Sequence, residues 1–262
     1  MVQRNKEHYM SVLTKTLHSD YIKNHTKTIM LIWLLYILGL LSGFMLLVFL
    51  FMGSYAIVDL DLNTSKALWF DAFLSIIFFL QHSIMVRKGF KKWLEKFMPE
   101  IFHGAFYGIT SAIALLLVLI FWQQSTVFIA HADGMIYWVL RALFLLCLFG
   151  FFWGAQALGS FDALGVKPLM DHISNRPGKP QQIVAKGPYR WSRHPLYLFL
   201  IILIWVCPVL TLDRLLFNIL WSMWIVIGTF LEDRDLHREF GSQYREYSSR
   251  VPMLIPWRIP KN

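Results

Sequence analysis

The chain is poor in cysteine and in charge. Its 262 residues include two Cys, and Asp, Glu, Lys and Arg together make up 16%. Cys147 and Cys207 both fall in long apolar runs at no metal-ligand spacing. That excludes a disulfide framework, a CxxC redox pair and a thiolate zinc site, and leaves burial as their role. No strand-borne GxGxxG, no GxxxxGK[ST] and no HExxH occurs, which argues against a Rossmann-held nucleotide, P-loop phosphoryl transfer and zincin chemistry. There is no low-complexity tract, clear repeat or linker, so a single domain is expected over residues 1–262. Residues 1–28 are polar and charged, which argues against a signal peptide ahead of the first apolar run.

Apolar residues are what the chain has in excess: 56% of the total, with a mean hydropathy of +0.50. Runs near Ile29–Met52, Ala67–Val86, His103–Trp122, Met135–Leu158, Leu196–Leu212 and Leu215–Leu231 approach or exceed the length needed to cross a hydrocarbon core of about 30 Å. The fold class expected is therefore all-α, a polytopic integral membrane protein of about six transmembrane helices with a cytoplasmic cap. Residues 1–158 make a four-span block. Residues 159–262 supply a long loop, a tight two-span hairpin turning at Asp213-Arg214, and a polar tail. Within the loop, residues 175–180 read as turns, since Pro removes a donor and Gly relieves the backbone.

The net charge of +9 is placed unevenly. Lys and Arg gather before the first run (Arg4, Lys6, Lys15), after the second (Arg87, Lys88, Lys91, Lys92), after the fourth (Lys167, Lys186, Arg190) and after the sixth (Arg234, Arg238, Arg245). The intervening loops carry only Lys66 and Arg214. This alternation is the positive-inside pattern, so both termini are expected in the cytoplasm, as in a bacterial inner membrane. Topology and contact with membrane lipids explain the basicity, and no nucleic acid partner is implied.

Three glycine pairs at four-residue spacing, Gly39/Gly43, Gly104/Gly108 and Gly150/Gly154, suit close helix packing within the chain, with homodimerisation left open. Asp71 and Arg141 lie about one turn inside the outer ends of their spans; they either pair or snorkel separately.

Followed through this topology, four polar clusters land at one depth on the cytoplasmic side: Gln81-His82-Ser83, Gln156, Tyr189 to Tyr197, and Glu232-Asp233. Arg193 and His194 supply cations, Glu232 and Asp233 carboxylates, and Tyr189, Trp191, Tyr197, Tyr244 and Tyr247 aromatic faces. Such a set suits a zwitterion, with Arg and His on a carboxylate and Glu or Asp on an ammonium, while aromatic faces suit a sulfonium cation. Tyr244 and Tyr247 could equally form an interfacial aromatic belt.

Gly187-Pro188-Tyr189, Arg193-His194-Pro195-x-Tyr197, Glu232-Asp233, Phe240-Gly241-x-x-Tyr244-x-x-Tyr247 and Val251-Pro252, in that order, resemble the C-terminal half of the isoprenylcysteine carboxyl methyltransferase superfamily. Gln81-His82-Ser83-Ile84-Met85-x-Arg87-x-Gly89-Phe90-Lys91 and Phe161-Asp162-x-x-Gly165 resemble its methanethiol S-methyltransferase branch. The resemblance implies S-adenosyl-L-methionine as methyl donor and a small thiol as acceptor, methanethiol going to dimethyl sulfide. It implies cofactor contacts from Tyr189, Arg193, His194, Tyr197, Glu232, Asp233 and Tyr244. His82, with Ser83, is the candidate for catalysis, His82 serving as a base or as a structural hydrogen bond. Gln81, Gln156 and Trp191 are the candidate substrate contacts. The chain departs from the family where Asp233 and Phe199 stand in place of a frequent Glu and Gly. Methylation of an isoprenylcysteine carboxylate or a phospholipid amine, and a non-catalytic membrane scaffold like the denitrification-associated relatives, are the alternatives.

Overall fold

The computed structural model describes residues 2–159, 162, 164–174 and 182–258, with side chains from residue 25 onward. The turns expected over 175–180 lie outside the described residues, as does Phe161. Five helices are long and apolar enough to cross a membrane. These are α1 (Val2–Met52, apolar from His25), α2 (Thr64–Met85), α4 (His103–Phe121), α5 (Gly134–Leu158) and α8 (Leu212–Phe240). About a sixth to a little over a quarter of each apolar stretch is buried; the rest, including Trp33, Phe44, Trp69, Phe149 and Phe230, is outward-facing apolar surface. The protein is an all-α polytopic membrane protein. Its only β-structure among the described residues is a short antiparallel pair, β1 (Phe128–His131) with β2 (Val209–Thr211). Short helices α3 (Lys88–Leu94), α6 (Lys167–Ile173) and α9 (Ser242–Arg250) lie at the opposite, Lys- and Arg-rich face.

The expected hairpin is corrected in two respects. Its first arm, α7 (Pro195–Trp205), has 11 residues and rises only about 16 Å, so residues 206–208 carry the chain on to β2 in non-helical backbone. It ends because Pro208 follows within three residues and the chain turns into β2. The turn therefore lies at residues 206–211, and Asp213 and Arg214 are buried in the first turn of α8. The second arm does not stop at the membrane face: α8 runs on unbroken to Phe240, leaving Glu232 and Asp233 inside a helix.

At the β-pair end, buried polar groups tie the helices together. Arg214 donates to the carbonyls of Phe49 (2.9 Å) and Leu50 (3.0 Å), the last turn of α1, and to that of Ile204 (3.3 Å). Arg141 donates to Phe51 O and lies over the Phe51 ring. Two guanidiniums thus satisfy the orphan carbonyls and the negative end of α1. Asp213 accepts from Trp122 Nε1 (3.1 Å) and Ser125 N (3.0 Å), and Asp71 from Gln123 N (2.9 Å). Neither reading of Asp71 and Arg141 holds: Asp71 is fully buried, and each side chain bonds backbone instead of the other. The end of α1 and the loop after α4 present backbone groups at this end, and these side chains bond them.

Helix α4 packs against α1 and α2, α2 also against α8, and α5 against α7. Glycines permit these approaches, within the chain. Gly104 meets Gly165, Gly108 meets Leu164, Gly150 takes the Phe199 ring, and Gly154 takes Leu196. Gly165 sits at φ +71°, and a Cβ there would collide with the Gly104 carbonyl. Asp162 holds this turn by accepting from Val166 N (3.0 Å) and Lys167 N (2.8 Å). Gly43, by contrast, has nothing within 4 Å. Gly165→Ala is expected to destabilise the detergent-solubilised protein by about 2 kcal/mol or more, and Gly43→Ala to be neutral or mildly stabilising. Thermal unfolding of the two variants checks this; equal shifts would contradict the packing.

Candidate active site

The Gly187-to-Tyr197 segment and the tail are joined through backbone. A single 3₁₀ turn over Gly187–Arg190 leads to Ser192, and Arg193 N and His194 N donate to Pro252 O (2.9 Å) and Met253 O (3.1 Å). Pro195 occupies the first turn of α7, where its missing N–H costs nothing. Tyr247 donates to the Tyr189 carbonyl (2.6 Å). The motifs that precede α7 and follow α9 are thus one structural unit.

Asp233 is its electrostatic centre. Its carboxylate lies 3.2 Å from Arg193 Nε and 3.3 Å from His194 Nε2, accepts from Tyr244 OH (2.7 Å), and has His237 Nε2 at 3.7 Å. These groups are largely buried, with 4% of the His194 side chain and 13% of the Asp233 side chain exposed, so each charge needs its partner. Burial and Asp233 push the Tyr244 phenol up, and burial with nearby Glu232 pushes Tyr189 up to about 12. Both remain hydrogen-bond donors at any physiological pH. Tyr244 and Tyr247 are internal struts of this unit and form no interfacial belt.

Glu232, the next residue, points elsewhere, because adjacent helical positions differ by about 100°. It accepts from Tyr197 OH, whose ring lies parallel to His194 at 5.7 Å. Both line a cavity of about 650 Å³ between α1, α2, α4, α7 and α8. One face of α8 forms its wall: Trp221, Trp224, Gly228, Glu232, Asp235 and Glu239. From α2 come Phe78, His82 and Ser83, and from α4 Tyr107. Leu50, Ile204 and Phe217 line it far from the basic face. At that face the mouth carries Arg87 and Lys91, with Arg87 bridged to Asp235 at 3.1 Å.

His82 is held by aromatic rings: Phe78 at 5.4 Å, Trp224 at 5.1 Å and Tyr107 at 5.1 Å between centroids. Tyr107 OH is 2.6 Å from His82 Nε2. Ser83 Oγ accepts from Trp224 Nε1 at 3.1 Å. Of the residues expected around a site, the cavity wall includes His82, Ser83, Tyr197 and Glu232. Arg193, His194, Asp233, Tyr244 and Tyr189 stand behind it in the loop-and-tail unit. Three expected substrate contacts are not part of this cavity wall. Gln81 donates to Thr110 Oγ1 (3.2 Å) and Ser111 Oγ (3.1 Å), joining α2 to α4 on the side away from the cavity. Gln156 is exposed, and Trp191 packs edge-on to Trp153 at 5.7 Å, outside the cavity wall.

Tyr107, Trp224 and Gly228 went unread in the sequence. For two of them a signal was present: Trp224, Gly228 and Glu232 recur at four-residue spacing, one stripe on one helical face. Gly228 has nothing within 4 Å of where a Cβ would stand, so its missing side chain leaves open space between Trp224 and Glu232.

Fold and site together define a polytopic membrane protein with an aromatic cavity lined by three carboxylates, two cations and an imidazole. Known proteins narrow this further. The chain is 34% identical over 237 residues to the methanethiol S-methyltransferase of Pseudomonas sp. (strain GM41(2012)), spanning 86% of this chain and 84% of that protein. It is 32% identical over 201 residues to methanethiol S-methyltransferase 1 of Bradyrhizobium diazoefficiens, spanning 76% and 70%. A more distant relative is nurim of Rattus norvegicus, 26% identical over 188 residues, 67% of this chain and 70% of that protein. No protein-family model and no solved structure matches. The chain belongs to the methanethiol S-methyltransferase family.

The Asp233 unit yields a prediction. Asp233→Asn and Tyr244→Phe should each lower unfolding stability in detergent by about 1–3 kcal/mol, with a coupling above about 0.5 kcal/mol in the double variant. Strictly additive effects would contradict the hydrogen bond between them.

Proposed function

We propose that this protein methylates a small thiol, methanethiol in the first place, with S-adenosyl-L-methionine as donor. The observation that carries the reading is the α8 stripe, where aromatic rings, an empty place at Gly228 and the Glu232 carboxylate follow one another along one cavity wall. A volume of about 650 Å³ lies within the range of about 300–1,000 Å³ usual for small-molecule sites. The donor groups fit as well. Glu232 would take an ammonium, Arg87 and Lys91 at the mouth a carboxylate, and the faces of Trp221, Trp224 and Phe78 a sulfonium or a purine. When bound, the cofactor supplies an electrophilic methyl group on a sulfonium centre.

The protein's own part is positioning, exclusion of water and removal of a proton. Tyr197 orients Glu232, and His194 stacks on Tyr197. Arg193, His194, Asp233, Tyr244 and Tyr189 belong to the cofactor side of the proposal as the frame that holds Tyr197 and Glu232 in place. The apolar rings around His82 keep the acceptor end dry, which favours a poorly hydrated thiol and strengthens charge interactions there. A thiolate is the competent nucleophile, and His82 is the proposed base. Ser83 keeps Trp224 in place. The chain is proposed to work as one domain, residues 1–158 supplying the acceptor side and 159–262 the cofactor side. The basic face is proposed to be cytoplasmic, in a bacterial inner membrane.

Purified protein given S-adenosyl-L-methionine and methanethiol should release dimethyl sulfide into the headspace, and His194→Ala should reduce this at least tenfold. Donor binding without product would redirect the proposal to a lipid or prenyl acceptor, and absence of both would favour a scaffold. Gly228→Leu should fold normally, because nothing occupies the space its side chain enters, yet weaken binding of S-adenosylhomocysteine by calorimetry at least about tenfold. Unchanged affinity would remove the cavity from the proposal.

A further inference from the structure

The polar groups of the cavity wall include two hydrogen-bonded side-chain pairs. Tyr197–Glu232 stands at the mouth; His82–Tyr107 joins α2 to α4 across the aromatic lining. Tyr107 OH is 2.6 Å from His82 Nε2 and 3.1 Å from Nδ1. Phe78 and Trp224 pack against the imidazole, and His82 also lines the cavity. Tyr107 lines that cavity itself. The other hydroxyl beside His82, Ser83 Oγ, is occupied by Trp224 Nε1.

We propose that Tyr107 is the residue that touches the acceptor thiol and relays its proton to His82. This rests on the thiol reading above. The thiol S–H bond breaks as its proton moves to the Tyr107 oxygen, and the Tyr107 O–H bond breaks as that proton moves to a His82 nitrogen. The S–H electron pair remains on sulfur as the nucleophile, His82 becomes imidazolium, and Tyr107 is neutral before and after. No phenolate has to be sustained in the apolar wall, where an unpaired anion would be costly. Once the methyl group is transferred, the proton returns through Tyr107 to water at the mouth, leaving His82 neutral. A tyrosine hydroxyl is well suited to the middle position because it donates and accepts at the same time.

Tyr107→Phe keeps the ring and its packing and removes only the relay oxygen. With methanethiol, kcat should fall by about 100-fold, the usual worth of general base catalysis, while trifluoroethanethiol, a thiolate near neutral pH through its electron-withdrawing group, should be methylated within about threefold of the wild-type rate. An equal loss on both thiols, or a loss on neither, would overturn the relay. Wild-type protein that methylates neither thiol would instead overturn the thiol reading beneath it. A second measurement needs no cofactor. In protein labelled with 15N-histidine, the His82 resonances, assigned by their loss in His82→Gln, should carry the signature of an accepted hydrogen bond in wild type and lose it in Tyr107→Phe. Identical His82 resonances in the two proteins would overturn the relay whatever the enzyme assay gives.

Discussion

A carboxylate kept out of water must be surrounded by donors, and Asp233 gathers its donors from three separate segments. Arg193 and His194 come from the start of α7, Tyr244 from α9, and His237 from its own helix one turn on. Because the cost of leaving any of these groups unpaired is high, the loop, the last long helix and the tail are locked in one relative position. Backbone bonds from Arg193 and His194 to Pro252 and Met253 fix the same junction a second time. The position of Tyr197, one turn into α7, follows from that lock, and with it the hydrogen bond that orients Glu232 into the cavity. Neighbouring carboxylates therefore do different work: one holds the frame, the other faces the cavity.

The two ends of the bundle are built on opposite principles. At the β-pair end, Arg214, Arg141, Asp213 and Asp71 bind backbone groups, closing the helix ends with side chains of which all but Arg141 are buried. At the basic end, charged groups remain partly open, the Arg87–Asp235 bridge among them, with the side chains 36% and 42% exposed. Ion pairs as exposed as this contribute little to stability and exchange easily. The cavity between the ends is lined by aromatic rings that touch in a continuous series from Phe217 through Trp221 and Phe78 to His82 and Tyr107. Rigid rings in mutual contact hold the imidazole more firmly than aliphatic side chains would.

Much of the site could be read along the chain, because its pieces lie at the ends of apolar runs and the topology sends those ends to one face. His82, Ser83, Tyr197 and Glu232 were placed together on that ground alone, and they share a cavity. Gln81 was placed with them and turned away, since a step of one residue rotates a side chain by about 100° around the helix. Tyr107 was missed because a tyrosine in an apolar span has no distinguishing neighbours in sequence; its significance comes from His82, 25 residues earlier. Asp213-Arg214 looked like an exposed turn because charge between two apolar runs ordinarily marks one, and the proline that ends α7 earlier outweighed that cue.

By itself the sequence determined the class of protein, the basic face and the residue types available for chemistry there. These depend on quantities that accumulate along the chain: apolar length against membrane thickness, Lys and Arg counts between spans, and ordered motifs next to Pro and Gly. Only the tertiary structure decided which side of each helix faces inward, what Asp71 and Arg141 bind, and that Tyr107 stands beside His82. Spans that are apolar around most of their circumference carry little rotational information. Their orientation is set by the fit of side chains such as Leu164 and Phe199 against glycines on neighbouring helices, which exists only once the helices have met.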